Sequence, residues 1–265
     1  MLINTVLLFL SHSLVIFMVL ALLISIKSKF HLPVSALYIG ALTGVFMMLI
    51  LWFYIDIISQ LNVGTGGEWL YVCVNLIVYL LILLFINTAD EIEIMQNRSK
   101  KYFYAAAILA LIIMVQGTNF LIYFVGYWSQ VNVVNTLFVG VVLGTGICIS
   151  ISILLCFFCL FLNEQFYARS AELIFILFAC GLINKTTGLL LQIDFLPSTR
   201  MILDLNFIVR ENSELGHFLK ALFGYDASPT ILQIGVYVTA LLIALFCSQL
   251  PREPWRLFRF KEVIS

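Results

Sequence analysis

The sequence predicts an all-α integral membrane protein, a bundle of seven transmembrane helices. Of its 265 residues, 63% are hydrophobic and 11% are charged, and the mean hydropathy is +1.09. Seven apolar runs approach or exceed the roughly 20 residues that a helix needs to cross a bilayer, and almost no charge lies inside them. Backbone groups in lipid must be hydrogen-bonded within the segment, which a helix achieves.

The seven runs follow one another along the whole chain. They fall at about 2–26, 33–56, 69–88, 103–128, 134–162, 171–192 and 230–250. We therefore predict a single membrane domain over residues 1–265. The first run begins at Leu2 without a basic region before it, so we interpret it as a retained span and not as a signal peptide.

Basic residues are unevenly distributed among the connections. Ten of the 14 lysines and arginines follow the first, third, fifth and seventh runs, and three lie on the opposite side. The positive-inside rule then places the N-terminus outside and the C-terminus in the cytoplasm. An odd number of crossings requires the same arrangement.

The connection at residues 193–229, here called the cap loop, is longer than the others. Four of its apolar residues recur at helical spacing: Leu215, Phe218, Leu219 and Leu222. Ser213 is suited to cap the N-terminus of such a helix. We predict an amphipathic helix in an ordered external cap that lies on the bundle.

Pairs of glycines four residues apart occur in the second and fifth runs. They are Gly40 with Gly44 and Gly140 with Gly144. Small residues at this spacing let two helices approach closely, so we interpret both pairs as packing positions.

Composition and motifs argue against several functions. The equal numbers of basic and acidic residues, 14 each, do not favour a nucleic-acid partner. All six cysteines lie in apolar runs, where they act as small hydrophobic residues and not as a disulfide framework. The sequence has no nucleotide-binding loop and no nucleophile–base pattern. We therefore expect neither an enzyme nor a permanently bound cofactor.

Several separated segments carry a resemblance to a known family. The chain reads LFGYDASPT at 222–230, LFACGLINK at 177–185 and YIGALTGV at 38–45, and Glu68 precedes the third run. In this order the segments resemble the high-affinity iron permease family, which includes the fungal oxidase-coupled permeases and the bacterial elemental-iron permeases.

The resemblance implies a multi-pass permease of the cell inner membrane or plasma membrane. Its substrate would be iron or a related metal ion, moved across the cytoplasmic membrane. An extracytoplasmic metal-binding or oxidase protein would be its partner, beside the lipid bilayer, and an oligomer is left open.

In this chain, other residues replace the metal-binding motifs of the family. The family carries Arg-Glu-x-x-Glu in its first and fourth helices, where this chain has SHSLV at 11–15 and VQGTN at 115–119. Gln233 replaces a glutamate of the last helix. The candidate metal path is then His12, Gln116, Asn119 and Gln233, which are polar but carry no negative charge, although ferric iron prefers anionic oxygen ligands.

Packing explanations compete with metal binding at these positions. A lone histidine in a span is more often a hydrogen-bonded packing residue than a ligand. Gln116 and Asn119 share one face by spacing, and interhelical hydrogen bonds explain them as well as ligand binding does. For Gln233 we favour a structural role.

Charged residues outside this path form two further groups. Glu214, His217 and Asp226 in the cap loop are candidates for external metal loading, because acidic outer loops concentrate cations. Glu172 and Lys185 are interpreted as structural charges of the sixth run. We expect Glu172 to be solvated near Arg169, and Lys185 to reach outward or to pair with an acid of the cap loop.

Four hypotheses follow from the rewritten motifs. They are a divalent-metal permease that uses His12, a permease for an uncharged solute, a non-transporting subunit or scaffold of a metal-uptake complex, and a metal site built from other carboxylates. We favour the metal-ion permease, with the non-transporting subunit as the alternative.

Overall fold

The structure is a computed structural model that describes residues 2–30, 33–89, 95–128, 134–165, 169–197, 207 and 213–248. Within these ranges the chain forms eight helices. They are α1 (Leu2–Phe30), α2 (Val34–Gly64), α3 (Gly66–Ala89), α4 (Met95–Trp128), α5 (Val134–Gln165), α6 (Ser170–Gln192), α7 (Glu214–Phe223) and α8 (Ile231–Cys247).

Six of these helices, α1 to α6, are long and apolar enough to cross a membrane. The multi-pass helical architecture is therefore as predicted. Helix α8 is also apolar but has only 17 residues, which cover about 26 Å against a hydrocarbon core of about 30 Å. The seventh crossing and the orientation of the chain stay predictions.

Two of the long helices extend well beyond their apolar runs. Helix α2 continues to Gly64 and α4 begins at Met95, because polar residues continue a helix as readily as apolar ones do. Hydropathy thus located the spans but not the ends of the helices.

The long helices divide into an inner and an outer set. In α1 and α6, 67% and 61% of the apolar span is buried, against 22% in both α2 and α5. Helix α2 packs along α4, and α5 packs along α1, while α3 and α6 pack on each other. The outer faces carry exposed apolar residues such as Leu42, Phe46 and Phe157. These faces suit contact with lipid.

Helices α1–α3 and α4–α6, here called the two units, make corresponding contacts: α2 packs on α4 as α5 packs on α1, and α3 and α6 pack on each other. Gly44 of α2 lies against Ile113 of α4, and Gly144 of α5 lies against Phe9 of α1. Ile113 follows Phe9 by 104 residues and Gly144 follows Gly44 by 100. The contact of α2 with α4 therefore corresponds to the contact of α5 with α1. Gly44 and Gly144, which were predicted to be packing positions, lie at these two contacts.

The second unit is inverted relative to the first. In α1 and α4 the residue numbers run in opposite directions at the contact, since Phe9 packs on Phe120 and His12 contacts Gln116. Two units of three helices related in this way form an inverted repeat. In the sequence, the similar segments YIGALTG at 38–44 and FVGVVLG at 138–144 correspond to this repeat.

The predicted helix of the cap loop is present as α7. Ser213 Oγ accepts a hydrogen bond from Gly216 N at 3.0 Å, so the predicted cap is confirmed. The helix ends at Gly224, whose φ of +67° is the left-handed conformation that glycine adopts without strain. Helix α7 packs on α6 and α1.

Candidate functional site

A cavity of about 300 Å³ lies among α1, α4 and α6, between these helices and the segment from α7 into α8. Its polar and charged lining includes His12, Gln116, Lys185, Lys220, Asp226 and Gln233. Polar groups at such depth in a membrane bundle are costly and commonly face a water-filled path. The cavity is therefore the candidate functional site.

His12 and Gln116 contact each other directly inside this cavity. His12 Nδ1 lies 3.3 Å from Gln116 Oε1. Because an amide oxygen only accepts hydrogen bonds, this contact requires a proton on Nδ1, which in the neutral imidazole leaves the lone pair on Nε2. The imidazole also stacks on Tyr123, with ring centroids 5.6 Å apart. The rewritten motifs of the first and fourth helices thus meet through one neutral hydrogen bond.

Asn119 does not line this cavity. Its Oδ1 accepts a hydrogen bond from the hydroxyl of Tyr71 on α3 at 2.5 Å. Positions three apart on a helix differ in direction by roughly 60°, so Gln116 contacts α1 while Asn119 contacts α3. Interhelical hydrogen bonding accounts for Asn119, and its place on a metal path stays a prediction.

Gln233 has the structural role that the sequence favoured. Gln233 N donates to Thr230 Oγ1 at 3.3 Å, and Thr230 N donates to Gln233 Oε1 at 2.8 Å. This reciprocal capping box begins α8. Gln233 Nε2 also donates to Asp226 Oδ2 at 3.2 Å, so the amide joins the start of α8 to the cap loop.

Of the three candidates for external metal loading, the structure describes the side chain of Asp226. Its carboxylate accepts from Gln233 Nε2 and from Ser228 N, each at 3.2 Å, and it lines the cavity. The side chains of Glu214 and His217 lie outside the described residues. The loading cluster therefore stays a prediction.

Lys185 of α6 projects into the cavity with an exposed side chain. Within the described residues it forms no ion pair, and Asp226 in the same cavity is bonded to Gln233 and Ser228 instead. Lys220 of α7 lines the same space. The predicted pairing of Lys185 with an acid is thus not formed in the part of the chain described.

The expectation of a solvated Glu172 is wrong. Its side chain is 2% exposed, and Glu172 Oε2 lies 2.7 Å from Arg169 Nε. Arg169 is the N-cap residue of α6 and Glu172 stands in its first turn, where the helix dipole also favours a negative charge. The ion pair makes burial of the carboxylate tolerable at this helix start.

The described lining of the cavity combines one imidazole, several amides, one carboxylate and two ammonium groups. Among the residues that the structure describes, no three histidine, cysteine, aspartate or glutamate side chains gather to hold a metal ion. The lining can form hydrogen bonds with a polar solute.

Two residues of the site were missed by sequence reasoning. Asn184 lines the cavity and donates from Nδ2 to Gly224 O at 2.7 Å. Lys220 reaches the cavity from the last turn of α7. A polar Asn184–Lys185 pair inside an apolar run was the available signal for the first, whereas Lys220 looked like an ordinary charge on the polar face of an amphipathic helix.

The fold and the cavity together define a multi-pass helical membrane protein with a polar internal site. Comparison of the chain with protein-family models, with curated proteins and with solved structures finds no match.

Proposed function

We propose that this chain is a permease that moves a small polar or charged solute through the cavity beside His12 and Gln116. The observation that carries the proposal is the position of this cavity where the antiparallel helices α1 and α4 meet α6 and the segment from α7 into α8. Secondary transporters commonly bind their substrates between inverted repeats, and movement of one unit against the other opens the site to each side in turn.

The resemblance to the high-affinity iron permease family adds a candidate cargo, iron or a related metal ion. It also supports seven crossings with α8 as the last, an outer N-terminus, and a location in the inner or plasma membrane. An extracytoplasmic metal-binding or oxidase partner would deliver the ion. Within the cavity, His12 Nε2 is the group best suited to touch a divalent metal.

A second candidate is a non-transporting subunit or scaffold of a metal-uptake complex. It is favoured by the absence of carboxylates at the motif positions of His12 and Gln116, and by the lack of a metal-holding cluster among the described residues. In that case the inherited cavity would no longer conduct.

Uptake by the purified chain reconstituted in liposomes tests the proposal. The probes are ferric, ferrous, manganese and zinc ions, together with lactate and inorganic phosphate. We expect saturable uptake of at least one probe, lost in the double variant His12→Ala, Gln116→Ala. Ser150→Ala is the matched control, because Ser150 is exposed on α5 and bonds only its own helix at Gly146 O.

Uptake that persists in the double variant would contradict the proposed path. Folded protein that transports none of the six probes would instead support the scaffold candidate. Folding is checked for each variant by a cooperative thermal transition in detergent.

A further inference from the structure

A second cavity lies beside the first, between α7 and the start of α8. Its volume is about 290 Å³. The two cavities share one wall, which consists of Asn184, Gly224, Tyr225, Asp226 and Gln233. On its other sides the second cavity, here called the apolar cleft, is lined by Leu219, Phe223, Pro229, Ile234 and Tyr237. The cleft therefore offers mainly apolar contacts to a ligand.

The apolar cleft lies next to a surface that suits lipid. The side chains of Phe223, Ile234 and Tyr237 in its lining are half-buried. Ile231 and Val238 neighbour Ile234 on the surface of α8, because they are three residues before it and four residues after it. They are 55% and 46% exposed. An apolar chain can therefore pass from the surrounding lipid into the cleft without crossing water.

The charged residue in the described lining of the cleft is Asp226. Its carboxylate accepts hydrogen bonds from Gln233 Nε2 and Ser228 N, and it forms no ion pair with the residues that the structure describes. An ionised carboxylate has about four lone-pair sites, so about two remain for a ligand. Lys185 and Lys220 line the neighbouring cavity and not the cleft. Charge complementarity therefore favours a cationic group beside the apolar chain.

We propose that the apolar cleft binds a phospholipid with a primary-amine headgroup, whose ammonium group pairs with Asp226 and whose acyl chain lies against Ile234 and Tyr237. Along α8, Ile234 and Tyr237 are about 6 Å and about 10 Å beyond Thr230. The headgroup layer on each side of a bilayer is about 5–8 Å thick, so this spacing matches the distance from a headgroup to the start of its acyl chains. The inference rests on the proposed crossing of α8, but not on transport.

Native mass spectrometry of the full chain in a neutral detergent tests the site, with three added phospholipids that carry the same dioleoyl chains. Their headgroups are ethanolamine, choline and glycerol, so they differ in the group that would meet Asp226. We expect one phosphatidylethanolamine per chain to bind about threefold to tenfold more tightly than the other two lipids. This range lies between that of an exposed ion pair and that of a hydrogen bond to a charged group.

Two variants separate the headgroup from the acyl chain. Asp226→Asn keeps the size of the side chain and an acceptor for Gln233 Nε2, so it should remove the preference for phosphatidylethanolamine without abolishing lipid binding. Ile234→Trp fills the cleft and should weaken the binding of all three lipids. The matched controls are Asp56→Asn on α2 and Leu242→Trp on α8, because both residues are exposed and neither lines the cleft.

Equal affinities of the folded, unaltered protein for the three lipids would overturn the proposal. So would a preference for phosphatidylethanolamine that survives Asp226→Asn, or lipid binding that is unchanged in Ile234→Trp. Folding of each variant is checked by a cooperative thermal transition, and Asp226→Asn decides the case even where Ile234→Trp does not fold.

Lipid binding and transport fail separately in these experiments. Binding of phosphatidylethanolamine that depends on Asp226, without uptake of any transport probe, would keep the lipid site and reject the permease. Uptake that depends on His12 and Gln116, with equal affinities for the three lipids, would keep the permease and reject the lipid site.

Discussion

Gly181 and Gly224 touch backbone to backbone. A Cβ atom built on Gly181 would lie 2.7 Å from Gly224 N, and one built on Gly224 would lie 2.5 Å from Gly181 O. This contact sets the end of α7 directly on α6, within reach of the hydrogen bond from Asn184 Nδ2 to Gly224 O. The wall of the cavity that carries Asn184 and Lys220 therefore depends on two residues without side chains.

Replacing Gly181 by alanine should displace the end of α7 from α6. Since the added methyl group meets backbone atoms that cannot rotate away, we expect a loss of about 1–3 kcal/mol of stability, measured by thermal unfolding in detergent. Gly188→Ala on the same helix is the control, because its Cβ would only approach Gln233 Nε2 at 3.7 Å. Equal stability of the two variants would contradict the close contact.

The hydrogen bond between His12 and Gln116 can be separated from the stacking of the imidazole on Tyr123. His12→Phe keeps an aromatic ring but removes the hydrogen-bond donor to Gln116 Oε1. Gln116 is buried, with 3% of its surface exposed. Leaving this buried amide oxygen without a donor should lower the free energy of unfolding by about 1–3 kcal/mol. Adding Gln116→Leu should recover most of this loss, as measured by thermal unfolding. A double variant no more stable than His12→Phe would argue against the bond.

The inverted repeat predicts that equivalent glycines respond alike. Gly44→Leu and Gly144→Leu should each lower the stability, because a Cβ at either position would come within 3 Å of a facing helix. Gly146→Leu, whose Cβ would meet nothing within 4 Å, should be tolerated. Thermal midpoints in one detergent are the measurement. Loss of stability at only one of the two equivalent positions would show that the halves do not pack alike.

The buried ion pair at the start of α6 predicts an asymmetric mutational pattern. Arg169→Met leaves the carboxylate of Glu172 buried beside an apolar side chain, which should cost about 3–5 kcal/mol. The double variant Arg169→Met, Glu172→Leu should be more stable than the single one, because no uncompensated charge remains. A single variant with the midpoint of the unaltered protein would show that groups other than Arg169 stabilise the carboxylate of Glu172.

Helix positions and the cap were predictable because they depend on local chemistry. Each apolar run has to form a helix in lipid, and Ser213 caps α7 through a residue three positions away. Glu172 was misjudged because its burial depends on how α6 packs, which its distance from Arg169 in the sequence does not reveal. The repeat of YIGALTG and FVGVVLG was present in the sequence, but only the packing of α2 on α4 and of α5 on α1 gave it a structural meaning.

The sequence by itself determined that this is an all-helical membrane protein and which polar residues lie in its spans, since hydropathy acts over one segment at a time. Only the tertiary structure decided which of those residues meet. Gln116 and Asn119 are three residues apart, yet the first bonds His12 and the second bonds Tyr71. The rotation of each helix against its neighbours sets such contacts, and that rotation is fixed by packing across the whole bundle.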